Sequence, residues 1–148
     1  MKYSMKVADV LSKKNQSIQT IKSSETVGRL ARCLQQSRVG VMVVSDDGQS
    51  IDGIISERDI AYSLADRRGE LHLLAVSALM TRKVITCLPN DGLSDVLRLM
   101  SKHHIRHVPV KADDKLLGMI SIRDVLELRL DEVDNKSKML MNWIAESE

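Results

Sequence analysis

The sequence predicts an α+β fold in which two β-α-β-β-α repeats pack sheet to sheet and a C-terminal helix follows them. The octet GIISERDI at residues 53–60 returns as GMISIRDV at residues 118–125. An amphipathic stretch at residues 27–34 returns 66 residues later, at residues 93–100. A run rich in β-branched residues follows each of these stretches. Because the same parts recur in the same order, the chain is predicted to contain a duplicated unit.

The first repeat begins with a short strand, expected at residues 18–21, and a polar break, SSET. A helix follows, because the apolar side chains of Val27, Leu30, Ala31 and Leu34 have the spacing of one buried helical face. The run VMVV at residues 41–44 suits a buried strand, and DDGQ suits a tight turn. The strand that starts with GII then leads into a second helix near Ser56.

The second repeat has the same order of parts. A strand is expected at residues 84–87, and the break PNDG precedes a helix whose apolar face carries Leu93, Val96, Leu97 and Met100. The strand VPV at residues 108–110, the turn ADDK, the strand of GMI and a helix from Ser121 complete the repeat. One such unit has a single three-stranded sheet with two faces to cover, which is why sheet-to-sheet packing of two units is expected.

Composition restricts the class of protein. The 148 residues include 43% hydrophobic and 28% charged residues, as in a globular protein. A net charge of +2 and only 2% aromatic residues argue against nucleic-acid binding. No apolar run approaches the roughly 20 residues that span a bilayer, and the first residues lack the apolar core of a signal peptide. We therefore expect a cytoplasmic location and no membrane contact.

Cysteine and histidine residues offer weaker signals. Cys33 and Cys87 lie among apolar residues without CxxC spacing, so they are expected to be reduced core residues, with a redox role as the alternative. His103 and His107 have the i, i+4 spacing that chelates a metal on a continuous helix. Pro109 and its β-branched neighbours predict a helix-to-strand break there, so we expect no metal site.

The repeated octets allow two interpretations. Ser56 with Asp59, and Ser121 with Asp124, have the spacing of a capping box, which satisfies backbone donors without any ligand. Alternatively, each octet is a binding site. Arg58 and its counterpart Arg123 place a cation in the first helical turn, where an incoming anion would offset the unfavourable dipole. A carboxylate with two acceptor oxygens can also receive both hydroxyls of a ribose. The two roles are compatible.

The chain resembles tandem cystathionine-β-synthase (CBS) domain pairs over about residues 7 to 130. The resemblance is carried by the strand ends at Thr20 and Thr86, the two helix stripes, RHVPV at residues 106–110 and the two Gly-x-x-Ser-x-x-Asp stretches. It implies a pseudo-twofold pair of repeats with two clefts between them. Such clefts often bind AMP, ADP, ATP, NAD or S-adenosylmethionine, and such pairs usually dimerise. The implied function is non-catalytic regulation, and the alternative is a ligand-independent dimerisation or protein-interaction scaffold.

The resemblance divides the chain into four parts and implies roles for individual residues. The first repeat is placed at residues 7–65, a connector at 66–75, the second repeat at 76–130 and a helical tail at 131–148. By similarity, ligand contacts are expected at strand ends, cap turns and the segments that precede each middle strand. The ligand-binding positions are Thr20, Ile21, Gly40, Val41, Ser56, Arg58, Asp59, Thr86, Cys87, Arg106, His107, Val108, Pro109, Ser121, Arg123 and Asp124.

Within this set the implied roles differ. Asp59 and Asp124 are the ribose-binding positions, and the octet serines lie beside the phosphates. Thr20 and Thr86, with Ile21 and Cys87 next to them, line the adenine. The backbone around Val41 and Val108 contacts the base, and Arg106 and His107 are candidates for contacting phosphate. The first repeat has Gly40 and Val41 at the positions of Arg106 and His107, so the two clefts are expected to differ in affinity or ligand.

The tail carries a separate pattern. Six positions are spaced 4, 3, 4, 3 and 4 residues apart, a seam of period 3.5 with one polar member. They are Leu126, Leu130, Val133, Ser137, Leu140 and Ile144. We therefore expect a helix that supports self-association, although Asp134–Asn135 is a place where it could break. The alternative is a tail folded back on its own domain.

Overall fold

A computed structural model describes residues 5–14, 18–67 and 69–147. Ten helices and strands occur within these ranges, together with short 3-10 turns at Leu71–Leu73 and Val76–Ala78. In chain order they are α1 (Val7–Lys13), β1 (Thr20–Ile21), α2 (Val27–Ser37), β2 (Val41–Val44), β3 (Gly53–Ser56), α3 (Glu57–Asp66), α4 (Leu93–His103), β4 (His107–Ala112), β5 (Lys115–Ser121) and α5 (Ile122–Ser147). The α+β class, with two small sheets and a C-terminal helix, is confirmed.

The chain forms two compact units, and neither is continuous in sequence. Of the described residues, the sheet unit contains 18–67, 69–88 and 109–118. The helix unit contains residues 5–14, 89–108 and 119–147. Each unit therefore combines segments that lie far apart in the sequence.

The sheet unit contains a three-stranded sheet of order β1-β2-β3. Strand β1 is parallel to β2, with Thr20 opposite Val43, and β2 is antiparallel to β3, with Val41 opposite Ser56. Thr26 caps the N-terminus of helix α2, because its hydroxyl accepts a hydrogen bond from the Arg29 N–H at 3.1 Å. Leu30 and Leu34 of the apolar stripe of α2 pack against the sheet in a core that also contains Ile21, Met42, Val44, Ile55 and Val76. Ala31, expected on the buried face, is exposed.

The helix unit is built around α1, α4 and the start of α5. Helix α4 buries Leu93, Val96 and Met100, three apolar positions with helical spacing. Helix α1 and the segment that precedes α4 are joined by a backbone hydrogen bond of 2.9 Å from the Val7 N–H to the Asp91 carbonyl. Helix α1 was absent from the elements expected from sequence, and its buried residues Val7 and Val10 add to the core of this unit.

The strand expected at residues 84–87 is wrong. Only Cys87 pairs there, in a single parallel bridge with Val110. In a parallel ladder the next hydrogen bond would run from the N–H of residue 109 to the carbonyl of Ile85. Residue 109 is a proline and has no N–H, so the ladder stops. The first repeat has Val43 at this position, and β1 pairs there over two residues.

The remaining expected elements are present. Strands β4 and β5 form the second sheet, and the turn between them places Asp113 and Asp114 at φ of 51° and 60°. Helix α5 runs without interruption through Asp134–Asn135, so the expected tail helix is confirmed and does not break at this place. Residue 148, the last of the predicted tail, lies outside the described residues.

Candidate functional site

Each repeated octet forms a capped helix start. In the sheet unit, the Ser56 Oγ accepts a hydrogen bond from the Asp59 N–H at 3.3 Å, and the Ser56 N–H donates to Asp59 Oδ2 at 2.8 Å. In the helix unit, the same two hydrogen bonds join Ser121 and Asp124 at 3.1 and 2.8 Å. The capping interpretation is therefore confirmed at both octets.

At each helix start, a backbone carbonyl from another segment accepts a hydrogen bond from the first N–H of the helix. The Glu57 N–H donates to the carbonyl of Gly40 at 2.8 Å. The Ile122 N–H donates to the carbonyl of Arg106 at 2.9 Å. We call these helix starts the first turn (Gly40, Ser56, Glu57 and Asp59) and the second turn (Arg106, Ser121, Ile122 and Asp124). Both are built from a strand end, a serine, an aspartate and a carbonyl supplied by the segment before the middle strand.

The two aspartates keep one carboxylate oxygen available. The hydrogen bonds from Ser56 to Asp59, and those from the Ser121 N–H and Lys14 to Asp124, all use Oδ2. Both aspartates are half-buried rather than buried. In each turn, Oδ1 can therefore accept a hydrogen bond from a ligand while the cap is kept.

Lys14 distinguishes the second turn from the first, and sequence reasoning missed it. The Lys14 Nζ lies 2.6 Å from Asp124 Oδ2 and donates to the Met119 carbonyl at 2.8 Å. Burial raises the pKa of Asp124, but hydrogen bonds from Lys14 and Ser121 outweigh it and hold the pKa below its ordinary value. Asp124 is therefore a stable carboxylate. No sequence signal pairs residues 110 positions apart.

The first turn carries a different charge. A Cβ added to Gly40 would lie 3.1 Å from Glu57 Oε1, so the Glu57 carboxylate lies directly against this glycine. The second turn has Arg106 in place of Gly40 and Ile122 in place of Glu57. The first turn thus has an extra acidic group, whereas the second has additional basic groups.

The arginines of the octets are both exposed, but their surroundings differ. The Arg123 Nε lies 3.1 Å from Glu127 Oε1, an ion pair one helical turn along α5. Its charge is therefore balanced within the helix, which weakens the argument that Arg123 needs an incoming anion. Arg58 has no ion pair among the described residues. Of the two octet arginines, Arg58 is thus the one whose charge an incoming anion would balance.

The other predicted ligand residues are divided between the two units. In the sheet unit, Thr20 and Thr86 are half-buried, whereas Ile21 and Cys87 are buried. Pro109 is also buried there, and Val41 begins β2 beside Ser56. In the helix unit, Arg106 is exposed, His107 is half-buried and Val108 is buried. Their contact with a ligand remains a prediction.

The histidines near residue 105 lie on different elements. His103 ends α4, His104 has a left-handed backbone with φ of 53°, and His107 begins β4. The expected helix-to-strand break is confirmed. The i, i+4 spacing therefore does not place His103 and His107 on one helical face.

An apolar groove of about 610 Å³ lies in the sheet unit between α2 and α3. Gly40 is the only predicted ligand residue among those that line it, the others being Ala31, Leu34, Gln35, Arg38, Val39, Glu57, Ile60, Ala61 and Leu64. Apart from Gln35, Arg38 and Glu57 the lining is apolar, so its chemistry suits packing better than ribose or phosphate binding. Among the described helices, none combines the length and apolar composition that a membrane span needs.

Comparison with known proteins gives consistent results. The CBS domain model matches residues 7–66 and 76–131. The CBS domain-containing protein YhcV of Bacillus subtilis is 28% identical over 120 residues, which are 81% of this chain and 82% of that protein. A CBS-domain containing protein from Agrobacterium tumefaciens superposes with a TM-score of 0.81 at 30% identity, covering 86% of this chain and 96% of the other.

A third relative is the hexameric CBS-CP12 protein from bloom-forming cyanobacteria. Its structure matches with a TM-score of 0.71 at 26% identity, over 83% of this chain and 67% of that one. CBS domains in general serve regulatory and ligand-binding roles, and their solved structures include oligomers. Because the domain model matches well over half of the residues, in two stretches that each contain one octet, this chain belongs to the CBS-domain family as a tandem pair.

Proposed function

We propose that the chain is a non-catalytic, cytoplasmic regulatory module that binds an adenosine-containing ligand at its two Gly-x-x-Ser-x-x-Asp turns. The candidate ligands are AMP, ADP, ATP, NAD and S-adenosylmethionine. The observation that carries the proposal is the paired geometry of the turns. In both, a half-buried aspartate caps the helix with Oδ2 and keeps Oδ1 available.

The charged groups around the two turns differ, which supports a different ligand preference for each turn. The second turn has Lys14 and Arg106 near Asp124, a setting that favours ligands with anionic phosphates. The first turn has the carboxylates of Glu57 and Asp59, and the charge of Arg58 balances only one of them. The remaining negative charge disfavours a polyphosphate there. We therefore propose that AMP, ADP or ATP prefers the second turn, and that a neutral or cationic adenosine compound suits the first.

A thermal-shift panel tests the proposal. The full chain is melted with adenosine, AMP, ADP, ATP, NAD and S-adenosylmethionine in turn. A ligand present at 100 times its Kd adds about 2.7 kcal/mol to the free energy of unfolding, which is easily seen as a rise in Tm. Guanosine nucleotides at equal concentration control for non-specific anion effects. If no adenosine compound raises Tm above these controls, the proposal fails.

The second candidate is a ligand-independent scaffold that acts through a homodimer. The groove between α2 and α3 favours it, because Val39 and Leu64 are exposed there to 38% and 65%. In this case the chain would associate with itself or with a regulated protein partner without any small molecule. A dimer that forms with the same dissociation constant in the presence and absence of every adenosine compound supports this candidate.

A further inference from the structure

The C-terminal part of α5 exposes an apolar seam that nothing in the described structure covers. Five apolar seam residues are exposed to between 49% and 64%, namely Leu126, Leu130, Val133, Leu140 and Ile144. The sixth seam position, Ser137, is also exposed. This surface is continuous over about 27 Å of helix, since each residue advances the axis by about 1.5 Å.

The seam is separate from the face by which α5 packs on its own unit. Val125 and Leu128 are buried at 0% and 4%, and they lie about 100° and about 160° around the helix from the centre of the seam. Residues 133–147 are all exposed. The alternative of a tail folded back on its own domain is therefore wrong, and the seam can bind a partner while the start of α5 stays packed.

The spacing of the seam specifies the kind of partner. A strict period of 3.5 residues keeps a stripe in contact with a second helix of the same period, as in a coiled coil. An amphipathic helix that lies on a membrane instead has a basic polar face. From residue 129 to residue 147, α5 has three basic and four acidic side chains, a net charge of −1 that disfavours anionic lipid. A helix with the matching period is present in a second copy of this chain.

The charges that flank the seam specify its direction. One edge carries Arg129 and Lys136, and the other carries Glu127 and Asp134. In a parallel pair, Arg129 faces Asp134 of the second copy, an attractive contact. Within its own helix, Arg129 makes only a 3.8 Å contact with Glu132.

The antiparallel arrangement that matches all six seam positions is less favourable. In an antiparallel pair, flanking residues on the same edge of the two helices face each other. Because the six seam positions are symmetric about residue 135, Lys136 would then face Lys136 of the second copy along one edge, and Asp134 would face Asp134 along the other. Like charges at these positions repel. Ser137 would face Val133 in that arrangement, whereas in a parallel pair it faces Ser137 of the second copy, and the two hydroxyls can hydrogen-bond.

We infer that α5 docks against α5 of a second copy of this chain as a short parallel coiled coil. The seam spans fewer than three heptads, so the contact works together with the rest of the chain rather than as an isolated peptide. The inference is independent of ligand binding at the octets. It assigns an interaction surface to the part of the chain that follows the second repeat.

Cysteine cross-linking of the full chain tests both the partner and the direction. In a parallel pair, residue 144 of each copy lies within the 4.4–6.8 Å Cα separation that a disulfide requires. In the antiparallel pair the two copies of residue 144 are about 27 Å apart. Ile144→Cys should therefore form a 144–144 disulfide under mild oxidation. Asn142→Cys, on the opposite face, is the matched control and should stay uncross-linked, and peptide mapping distinguishes both from the native Cys33 and Cys87.

Several outcomes would overturn the inference. Cross-linking of a mixture of Leu126→Cys and Ile144→Cys chains between residues 126 and 144 would show an antiparallel pair. Equal cross-linking of the Asn142→Cys control would show random collision. The absence of any 144–144 disulfide would exclude the parallel contact.

A second measurement examines the seam without cysteine chemistry. Leu140→Asp should raise the dimer dissociation constant at least tenfold in sedimentation equilibrium, whereas Asn142→Asp should leave it unchanged. Flotation with phosphatidylcholine–phosphatidylserine vesicles supplies the competing result. If wild type floats with the vesicles and Leu140→Asp does not, the seam binds membrane and the inference is wrong.

Discussion

The ion pair between Lys14 and Asp124 provides a sharp test of how the second turn is built. Lys14→Met keeps most of the volume of the side chain but removes its charge and its hydrogen bond to the Met119 carbonyl. The paired side chains are exposed to only 27% and 17%, so solvent screens them less than a surface pair. A fully exposed pair contributes about 0.2–1 kcal/mol, and a hydrogen bond to a charged group contributes about 1.5–3 kcal/mol. We therefore expect a coupling energy of about 1–3 kcal/mol.

A double-mutant cycle measures this coupling. The free energy of unfolding is determined by urea denaturation for wild type, Lys14→Met, Asp124→Asn and the double variant at pH 7. Lys13→Met is the matched control, because Lys13 is exposed and has no ion pair among the described residues. It should change the free energy of unfolding by less than about 0.5 kcal/mol. A coupling energy below about 0.3 kcal/mol would refute the assignment of Lys14 to the second turn.

The same pair predicts a pH dependence. The folded-state pKa of Asp124 is lowered, so its carboxylate contributes stability that is present above the unfolded pKa of about 3.9. That contribution is lost as pH falls through the folded pKa. The advantage of wild type over Lys14→Met should therefore be constant from pH 5 to 7 and should shrink below about pH 4. An advantage that grows on acidification would contradict the assigned cause.

Three further predictions concern the strands and the helix cap that position the turns. Gly53→Ala should lower the free energy of unfolding by about 1–3 kcal/mol, because the added Cβ would lie 2.7 Å from Met80 Sδ, and chemical denaturation measures the loss. Pro109→Val should supply the missing donor to Ile85, so the amide of residue 109 should be protected in hydrogen exchange; exchange at the rate of an unstructured peptide would contradict this. Ser56→Ala should cost about 0.5–2 kcal/mol in thermal or urea unfolding, and an unchanged stability would show that its cap contributes nothing.

Local patterns predicted much of the fold. The stripes that became α2 and α4 depend only on residues within one helix, which is why Val27 and Leu93 were identified correctly as core positions. The strand at residues 84–87 failed because its pairing depends on a distant backbone donor that Pro109 lacks. Helix α1 could have been recognised from the spacing of Val7, Val10 and Leu11, which is that of one helical face.

The candidate site was predictable only in part. The caps at Ser56 and Ser121 follow from residues three positions apart, so the sequence was sufficient to predict them. Lys14 could not be assigned, because its contact with Asp124 depends on how distant segments meet. The contact of Glu57 with Gly40 was missed for the same reason. Charge differences between the turns arise from such contacts, which a repeat alignment does not reveal.

Calorimetric titration of a charge-neutralised double variant tests the central claim most directly. Asp59→Asn with Asp124→Asn keeps the size of both side chains and one oxygen that can accept a hydrogen bond. It removes the negative charge and the second acceptor oxygen, so the side chain can no longer accept hydrogen bonds from both ribose hydroxyls. The wild-type chain is titrated with the compound that raises Tm most, and the double variant is titrated under the same conditions. The account predicts saturable heat for wild type and a Kd at least tenfold weaker for the double variant, which is about 1.4 kcal/mol of binding free energy. An equal Kd in a double variant that remains folded would show that the paired turns do not bind the ligand.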